Sequence, residues 1–169
     1  MDYLLETPRL LLREFNEMDG NAMYLLNADP DVIKYTGDPP FESPHEAQQF
    51  LIDYPDYKKH GFGRWAVVEK ESDQFVGWCG LKRHEDGMVD VGFRFYKEQW
   101  GKGYATESAK EVLNYGFTSL DLAEIIGRAA RENVASIRVL EKLGFTYWKK
   151  APCHGIEDAH YYKLLHPKS

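Results

Sequence analysis

Two glycines, Gly101 and Gly103, lie where the chain passes from strand-like to helix-like sequence. Before them, residues 88–96 alternate apolar and polar side chains, which predicts a strand with one buried face. After them, residues 104–120 carry apolar side chains at helical spacing. The chain must therefore contain a strand that enters a helix through a glycine loop, whose bare backbone and first helical N–H groups suit anionic oxygens.

The rest of the pattern predicts a mixed sheet. Strands are predicted at residues 9–15, 65–68, 75–81, 88–96, 125–130, from Phe145 onward and at 160–165. Helices are predicted after Asp19, at Pro30, from Pro44 to about Lys58, at residues 104–120 and after Asn133. We expect a single domain, residues 1–169, of the α/β class, with a central mixed, mostly antiparallel sheet and helices on both faces.

Three helix details follow from local sequence. Asn133 can act as the N-cap of the helix that follows it. Asp19 is predicted to cap the first helix with its side chain. The helix that starts at Pro44 is predicted to turn Phe50, Leu51 and Tyr54 inward, and Pro55 is expected to kink or shorten it.

Composition narrows the class of protein. The 169 residues carry 21 Lys+Arg and 27 Asp+Glu, a formal charge of −6, and scattered basic residues argue against nucleic-acid binding. No apolar run approaches the ~20 residues of a membrane span, and the first residues lack a secretory pattern, so we expect a cytoplasmic protein without a membrane partner. Cys79 and Cys153 lack metal-ligand or redox spacing, so we expect free thiols and no metal.

The glycine loop by itself leaves more than one interpretation. A P-loop needs Gly-Lys followed by Ser or Thr, whereas Lys102 is followed by Gly103. A dinucleotide fingerprint needs Gly-x-Gly-x-x-Gly in a parallel unit, whereas this loop follows predicted antiparallel strands. A tight turn at a helix start, with no ligand, stays open on these residues alone.

A second motif follows in the run Asn133–Phe145. Together with the loop Trp100–Glu107, it resembles the two core motifs of the GNAT superfamily of N-acetyltransferases. The whole chain is similar to the RimJ/RimL-type branch of that superfamily, whose beginning matches Thr7–Arg13 and whose middle matches Val91–Phe93. The resemblance covers nearly the whole chain, and two motifs in this order are more specific than the loop alone.

The resemblance implies acetyl-CoA as co-substrate, with an amine as acceptor. It implies that CoA is bound by the loop residues Trp100, Gly101, Lys102, Gly103, Tyr104, Ala105 and Thr106, by the strand edge at Phe93 and Phe95, and by Asn133 and Ser136. Elementary chemistry agrees, because a strand that diverges from the next one near Ile125 leaves N–H and C=O groups that pantetheine amides can satisfy. An N–H at that edge can also steady a thioester oxyanion.

The sequence departs from the wider superfamily at two positions. Trp100 stands where Gln or Arg is usual, and we interpret it as a trait of the branch. Leu140 stands where a tyrosine usually protonates the thiolate, and its apolar spacing predicts a core residue. The resemblance then favours Ser136 as the acid, although a serine at a helix start also satisfies local backbone groups.

Four carboxylates are candidates for receiving the amine proton. One of them, Glu107, better suits a structural role, because the helix dipole stabilises a carboxylate in the first turn. Asp90 shares a strand face with Gly92, whose missing side chain is expected to leave room for substrate. Asp158, beside Glu157, lies near the last strand, where the branch places acidic residues toward the acceptor. A strong base is optional for an α-amine, because presenting it neutral at pH 7 costs about 1 kcal/mol, compared with about 4.6 kcal/mol for a lysine amine.

The sequence therefore predicts an N-acetyltransferase in which an amine attacks acetyl-CoA directly in a ternary complex. An acyl-cysteine route is disfavoured, because neither cysteine has the surroundings of a nucleophile. The alternative is a module of the same fold that binds acyl-CoA without catalysis. The acceptor, a protein N-terminus or a small molecule, stays open, as does the choice between monomer and homodimer.

Overall fold

A computed structural model describes residues 2–167. The strands in this part of the chain are β1 (Leu5–Glu6), β2 (Leu10–Arg13), β3 (Arg64–Glu69), β4 (Gln74–Arg83), β5 (Val89–Phe95), β6 (Glu124–Ala129), β7 (Thr146–Cys153) and β8 (Ile156–Leu165). The α-helices are α1 (Gly20–Ala28), α2 (Pro30–Ile33), α3 (Pro44–Ile52), α4 (Asp56–His60), α5 (Tyr104–Thr118) and α6 (Val134–Lys142). None of these helices is both long enough and apolar enough to cross a membrane.

The strands form one sheet in the order β1-β2-β3-β4-β5-β6-β8-β7. Neighbouring strands are antiparallel except for β5 and β6, which are parallel. The predicted mixed, mostly antiparallel sheet is confirmed. The short strand β1 was not predicted, since two residues are too few to show an alternating pattern.

Helices cover both faces of the sheet, as predicted. On one face, α5 and α6 pack on Val67, Leu81 and Val91 of the central strands. On the other face, α1, α2 and α3 pack around Ala66, with Trp78 partly buried beside them. Ala66 and Val67 are consecutive, and successive strand side chains point to opposite faces, so a single strand supplies both cores.

The strands β5 and β6 are paired at only one position, Asp90 opposite Ile126. On its other side, β5 pairs with β4 from Val89 to Phe95. Within the described chain, the edge of β5 beyond Asp90 therefore has no strand partner on the β6 side. The predicted divergence near Ile125 is confirmed, one residue further along.

Asp19 does not cap α1 with its side chain, so that prediction is wrong. Its carboxylate instead accepts hydrogen bonds from Arg13 at 2.8 and 2.9 Å and from the Asn16 amide at 3.0 Å. The buried guanidinium is the stronger donor, because both partners are charged. Asp19 thus ties β2 to the entry of α1.

The helix that starts at Pro44 ends at Ile52, and α4 begins only after Pro55, which cannot continue a helix. Leu51 is buried, as predicted. Phe50 is 47% exposed, so its predicted burial is wrong. Phe50 belongs to the wall of the cavity described below and not to the core.

Glu107 ties the start of α5 to the beginning of the chain. Its carboxylate accepts hydrogen bonds from the Thr7 hydroxyl at 2.6 Å, the Arg9 amide at 3.0 Å and Arg9 Nε at 2.7 Å. Burial alone would raise the pKa of Glu107, but these donors hold it below its ordinary value. The glycine loop, which immediately precedes α5, is held in place by these bonds.

We expect Glu107→Gln to lower the free energy of unfolding at pH 7 by about 1–3 kcal/mol, because the carboxylate accepts these bonds more strongly than an amide. The folded pKa is depressed, so the contribution is present above the ordinary value of 4.5 and is lost as the pH falls below it. Urea unfolding at pH 7 and at about pH 3 measures the difference between the two proteins, which should shrink at the lower pH.

Glu111→Gln, one turn further along α5, is the matched control. It makes the same chemical change on the same helix without touching Thr7 or Arg9. Equal losses in the two variants, or a loss that does not change with pH, would contradict the assigned role of Glu107.

Candidate active site

The glycine loop lies directly before α5. Gly101 and Gly103 have φ angles of 80° and 82°, in the left-handed region that favours glycine. The Glu107 amide is the first in α5 to donate along the helix, to the Gly103 carbonyl. The amides of residues 104–106 therefore have no helical acceptor. Such amides at the start of a long helix suit an anionic ligand such as a pyrophosphate.

Side chains around the loop fix its shape. Arg9 Nη2 donates to the Lys102 carbonyl at 2.8 Å, and the Arg9 guanidinium lies 4.6 Å from the centre of the Tyr104 ring. The Trp100 indole N–H donates to the Phe95 carbonyl at 3.0 Å, which holds the loop at the end of β5. The loop and the unpaired edge of β5 are thus adjacent. The predicted CoA contacts of residues 100–106 stay a prediction.

Asn133 and Ser136 lie at the start of α6. The Asn133 side chain accepts the Ser136 N–H at 3.3 Å, so Asn133 is the N-cap, as predicted. The Ser136 hydroxyl makes no hydrogen bond within the described chain, which contradicts the alternative that it satisfies local backbone groups. Leu140, one turn further on, is buried in the core, as its spacing predicted.

A cavity of about 500 Å³ lies beside the unpaired edge of β5. Phe93 of β5 and Asn133 and Ser136 of α6 form one part of its wall. The opposite wall comes from α1, α3 and the connection between α2 and α3. The volume is within the range of small-molecule pockets. The cavity thus joins the side where CoA is expected to a second side that an acceptor can occupy.

Asp90 lines this cavity at the point where β5 and β6 part. Its carboxylate lies 2.8 Å from Arg64, 2.9 Å from Arg128 and 3.0 Å from His84. Burial alone would raise the pKa of Asp90, but these three partners hold it well below its ordinary range. A carboxylate stabilised in this way is a weak proton acceptor, so the geometry does not favour Asp90 as a general base.

The interpretation of Gly92 as room for substrate is wrong. The Arg64 guanidinium occupies that space, and a Cβ on Gly92 would come within 2.8 Å of Arg64 Cζ. Arg64 and Arg128 were not predicted as site residues, because they lie 26 and 38 positions from Asp90 along the chain. No local pattern connects residues so far apart. His84 lies in a loop, as its surroundings suggest, but its side chain belongs to the Asp90 cluster.

Asp158 and Glu157 are exposed on β8 and do not line the cavity. Their neighbours Ile156 and Ala159 do line it. The structure therefore does not bring Asp158 together with Asp90 on the acceptor side.

The two cysteines lack the properties of a nucleophile. Cys79 is fully buried in the sheet, and burial raises its pKa to about 12. Cys153 lines the cavity, but burial raises its pKa as well. Both thiols are therefore protonated at neutral pH. Across residues 2–167, no group of three or more His, Cys, Asp or Glu side chains converges to hold a metal ion.

The chain is similar to known proteins over most of its length. The family model of the acetyltransferase (GNAT) domain matches residues 9–146. The chain is 33% identical over 144 residues to the uncharacterized N-acetyltransferase p20 of Bacillus licheniformis, covering 83% of this chain and 81% of p20. It is 29% identical over 137 residues to the spermidine N(1)-acetyltransferase of Escherichia coli (strain K12), covering 80% and 72%. The crystal structure of a GNAT-family acetyltransferase from Bacillus anthracis superposes with a TM-score of 0.80 at 32% identity, covering 96% and 98%.

The chain belongs to the GNAT family of acetyltransferases. The domain that defines this family is an acetyl-CoA-dependent acyltransferase, so the protein is an enzyme of that class. The superfamily inferred from the two motifs is confirmed.

We expect Gly101→Ala to weaken acetyl-CoA binding by about tenfold or more, because a Cβ at a φ of 80° strains the loop and redirects its amides. No protein atom lies within 4 Å of the added Cβ, so any loss of affinity reflects the loop and not a clash in the fold. Titration calorimetry with acetyl-CoA measures the change.

Gly61→Ala is the matched control. Gly61 also has a φ of 80° and no atom within 4 Å of an added Cβ, but it ends α4. The two variants should lose similar stability, about 1 kcal/mol. If Gly101→Ala binds acetyl-CoA as well as Gly61→Ala does, the loop does not hold the pyrophosphate.

Proposed function

We propose that the enzyme transfers the acetyl group of acetyl-CoA to a small primary amine by direct attack in a ternary complex. The observation that carries this proposal is a continuous cavity that reaches from the unpaired edge of β5 and the start of α6 to an opposite wall formed by other helices. Two substrates can therefore approach each other from opposite sides of the sheet.

Backbone groups of β5 that lack a strand partner support the binding of acetyl-CoA at one side of the cavity. The free edge of β5 runs beside Phe93, and the glycine loop follows at the end of that strand. Pantetheine carries amides that pair with a strand edge, and its pyrophosphate suits the amides at the start of α5. We infer that residues 93–95 and 100–106 hold acetyl-CoA in this way, with Asn133 and Ser136 on the other side.

In the transfer step, the neutral amine nitrogen forms a bond to the acetyl carbon, and the bond from that carbon to sulfur breaks. Negative charge develops first on the acetyl oxygen, where a free β5 amide can stabilise it. Charge then passes to the departing thiolate. The newly bonded nitrogen releases its extra proton, and Ser136 is the candidate that relays it: its hydroxyl gives a proton to sulfur and regains the one that nitrogen releases. This hydroxyl lines the cavity and has no hydrogen-bond partner within residues 2–167.

The amine must lose a proton, and neither Asp90 nor Asp158, two of the carboxylates predicted to accept it, is placed to do so. Asp90 is bound by Arg64, Arg128 and His84, and Asp158 does not face the cavity. We infer that the positive groups around Asp90 lower the pKa of a bound ammonium, since like charges disfavour the charged form. Water then suffices as the first acceptor of the proton.

The acceptor is proposed to be a small molecule and not a protein N-terminus. A cavity of about 500 Å³ suits a compact substrate. The relative named spermidine N(1)-acetyltransferase is a precedent for a small amine acceptor in a similar chain. We also propose that the protein belongs to the RimJ/RimL-type branch, and the resemblance of Thr7–Arg13 and Trp100–Glu107 to that branch supports this assignment.

A thiol-release assay with acetyl-CoA and a panel of small amines and peptide N-termini tests the proposal. We expect release of CoA thiol that requires a small amine. Acetyl-CoA binding without release from any amine would instead support a module that only binds acyl-CoA.

We expect Ser136→Ala to lower kcat by about 10²–10⁴-fold, the range of general acid–base groups, with little change in acetyl-CoA affinity. The hydroxyl would act mainly in the transition state, so kcat and kcat/KM should fall together. Steady-state kinetics and calorimetry on the same preparation separate these effects.

Ser119→Ala, at the exposed end of α5, is the control for removal of a hydroxyl. Near-normal kcat in a folded Ser136→Ala enzyme would show that water protonates the thiolate. Ser136 would then be a residue that only contacts CoA.

A further inference from the structure

The charged groups that line the cavity leave an excess of positive charge. The cations are Arg64, Lys82, Arg94 and Arg128. The anions are Asp38, Glu46 and Asp90. His154 also lines the cavity, and burial lowers its pKa, so it adds little charge at neutral pH. A site for a polyamine would be expected to have the opposite sign of charge.

We propose that the acceptor is a primary amine that also carries an anionic oxygen group, a carboxylate or a phosphate, which Arg64 and Arg128 bind. This inference rests on the proposed acetyl transfer to a small amine. It adds the chemical class of the acceptor.

Arg64 and Arg128 both have N–H donors that their contacts within the protein do not use. Arg128 reaches Asp90 and His84 through Nη2 alone, at 2.9 Å in each case. Arg64 reaches Asp90 and the Gly80 carbonyl through Nη1 alone, at 2.8 and 3.1 Å. Each guanidinium carries five N–H donors, so both keep donors that these contacts do not use. Both side chains are mostly buried, with 16% and 14% of their surface exposed, which strengthens binding of an anion.

The negative charge of Asp90 balances only one of the two positive charges of Arg64 and Arg128. Arg64 and Arg128 carry two positive charges and Asp90 one negative charge, so these three side chains keep a net charge of about +1. One anionic group on the acceptor would balance it. Planar guanidinium groups bind carboxylate and phosphate through paired N–H bonds, so the geometry of both residues suits these ligands.

The third arginine that lines the cavity, Arg94, has a carboxylate partner of its own. Arg94 donates to Asn27 and to Asp38, both at 2.8 Å, and its guanidinium lies 5.2 Å from the centre of the Trp78 ring. Arg64 lies 5.3 Å from the same ring centre. Trp78 therefore holds two guanidinium groups in place, while only Arg64 and Arg128 share a single carboxylate.

The first test compares primary amines that carry an anionic group with primary amines that do not. The probes are γ-aminobutyrate, its carboxamide, aminopropylphosphonate and spermidine, assayed for release of CoA thiol at saturating acetyl-CoA. We expect kcat/KM for the carboxylate or the phosphonate to exceed that for the carboxamide by about tenfold or more. The better of the two anionic probes identifies the group that the site recognises.

Turnover of the carboxamide or spermidine that equals or exceeds turnover of both anionic probes would overturn the inference and leave acetyl transfer intact. Acetyl-CoA binding without thiol release from any amine would overturn the proposed function, and with it this inference. The two failures are therefore distinguishable.

The second test uses variants of Arg128. Arg128→Gln should lower the ratio of kcat/KM values for the anionic probe and the carboxamide by about tenfold or more. Arg128→Lys, which keeps the charge but loses the planar fork, should restore part of that ratio. Arg131→Gln is the matched control, because Arg131 is 69% exposed on its side chain and lies three residues away.

The ratio of the two kcat/KM values is insensitive to a general loss of activity. If Arg128 had only a structural role, its substitution would lower kcat/KM for both probes together. Asp90 keeps Arg64 and His84 as partners in these variants, and thermal unfolding checks that each is folded. An unchanged ratio in folded Arg128→Gln, or in Arg128→Lys should the former not fold, would overturn the assignment.

Discussion

The divergence of β5 from β6 is the constraint on which the site depends. Two parallel strands that stayed paired would satisfy each other's backbone groups and close the sheet. Pairing here stops after Asp90 and Ile126, so the rest of β5 presents an open edge next to the glycine loop. The same divergence gives the cavity access to α6. The donor edge and the acceptor cavity are thus two consequences of one break in the sheet.

The Asp90 cluster stabilises that break. Asp90 belongs to β5, Arg64 to β3 and Arg128 to β6, and Arg64 also donates to the Gly80 carbonyl of β4. One carboxylate therefore links three strands at the point where the sheet opens. A buried ion pair of this kind is costly to break, because removing one partner leaves an unpaired charge. The Asp90 cluster fixes the positions of its side chains and sets the local electric field, and it adds comparatively little net stability.

Sequence patterns predicted what depends on neighbours along the chain. Alternation predicted β5, helical spacing predicted α5, and Asn133 was correctly predicted as an N-cap. Sequence patterns gave wrong predictions where the structure depends on contacts outside the local pattern. At Gly92, for example, space was expected for substrate, but the Arg64 guanidinium fills it. The same holds for Asp19, whose carboxylate prefers Arg13 to the helix end. The motifs predict where the donor binds, whereas the cavity proposed for the acceptor is formed by long-range contacts that no local pattern encodes.

The weakness of Asp90 as a base follows from the same cluster. Presenting a lysine-like amine in neutral form costs about 4.6 kcal/mol at pH 7, and each unit by which its pKa falls removes about 1.4 kcal/mol of that cost. A field with an excess of positive charge lowers the pKa of a bound ammonium, and an anionic group on the acceptor binds in the same field. A single arrangement, two arginines around Asp90, would thus serve both the proposed recognition of the acceptor and its proposed deprotonation. The anion of the acceptor must then lie close enough to be bound yet leave part of the field at the amine.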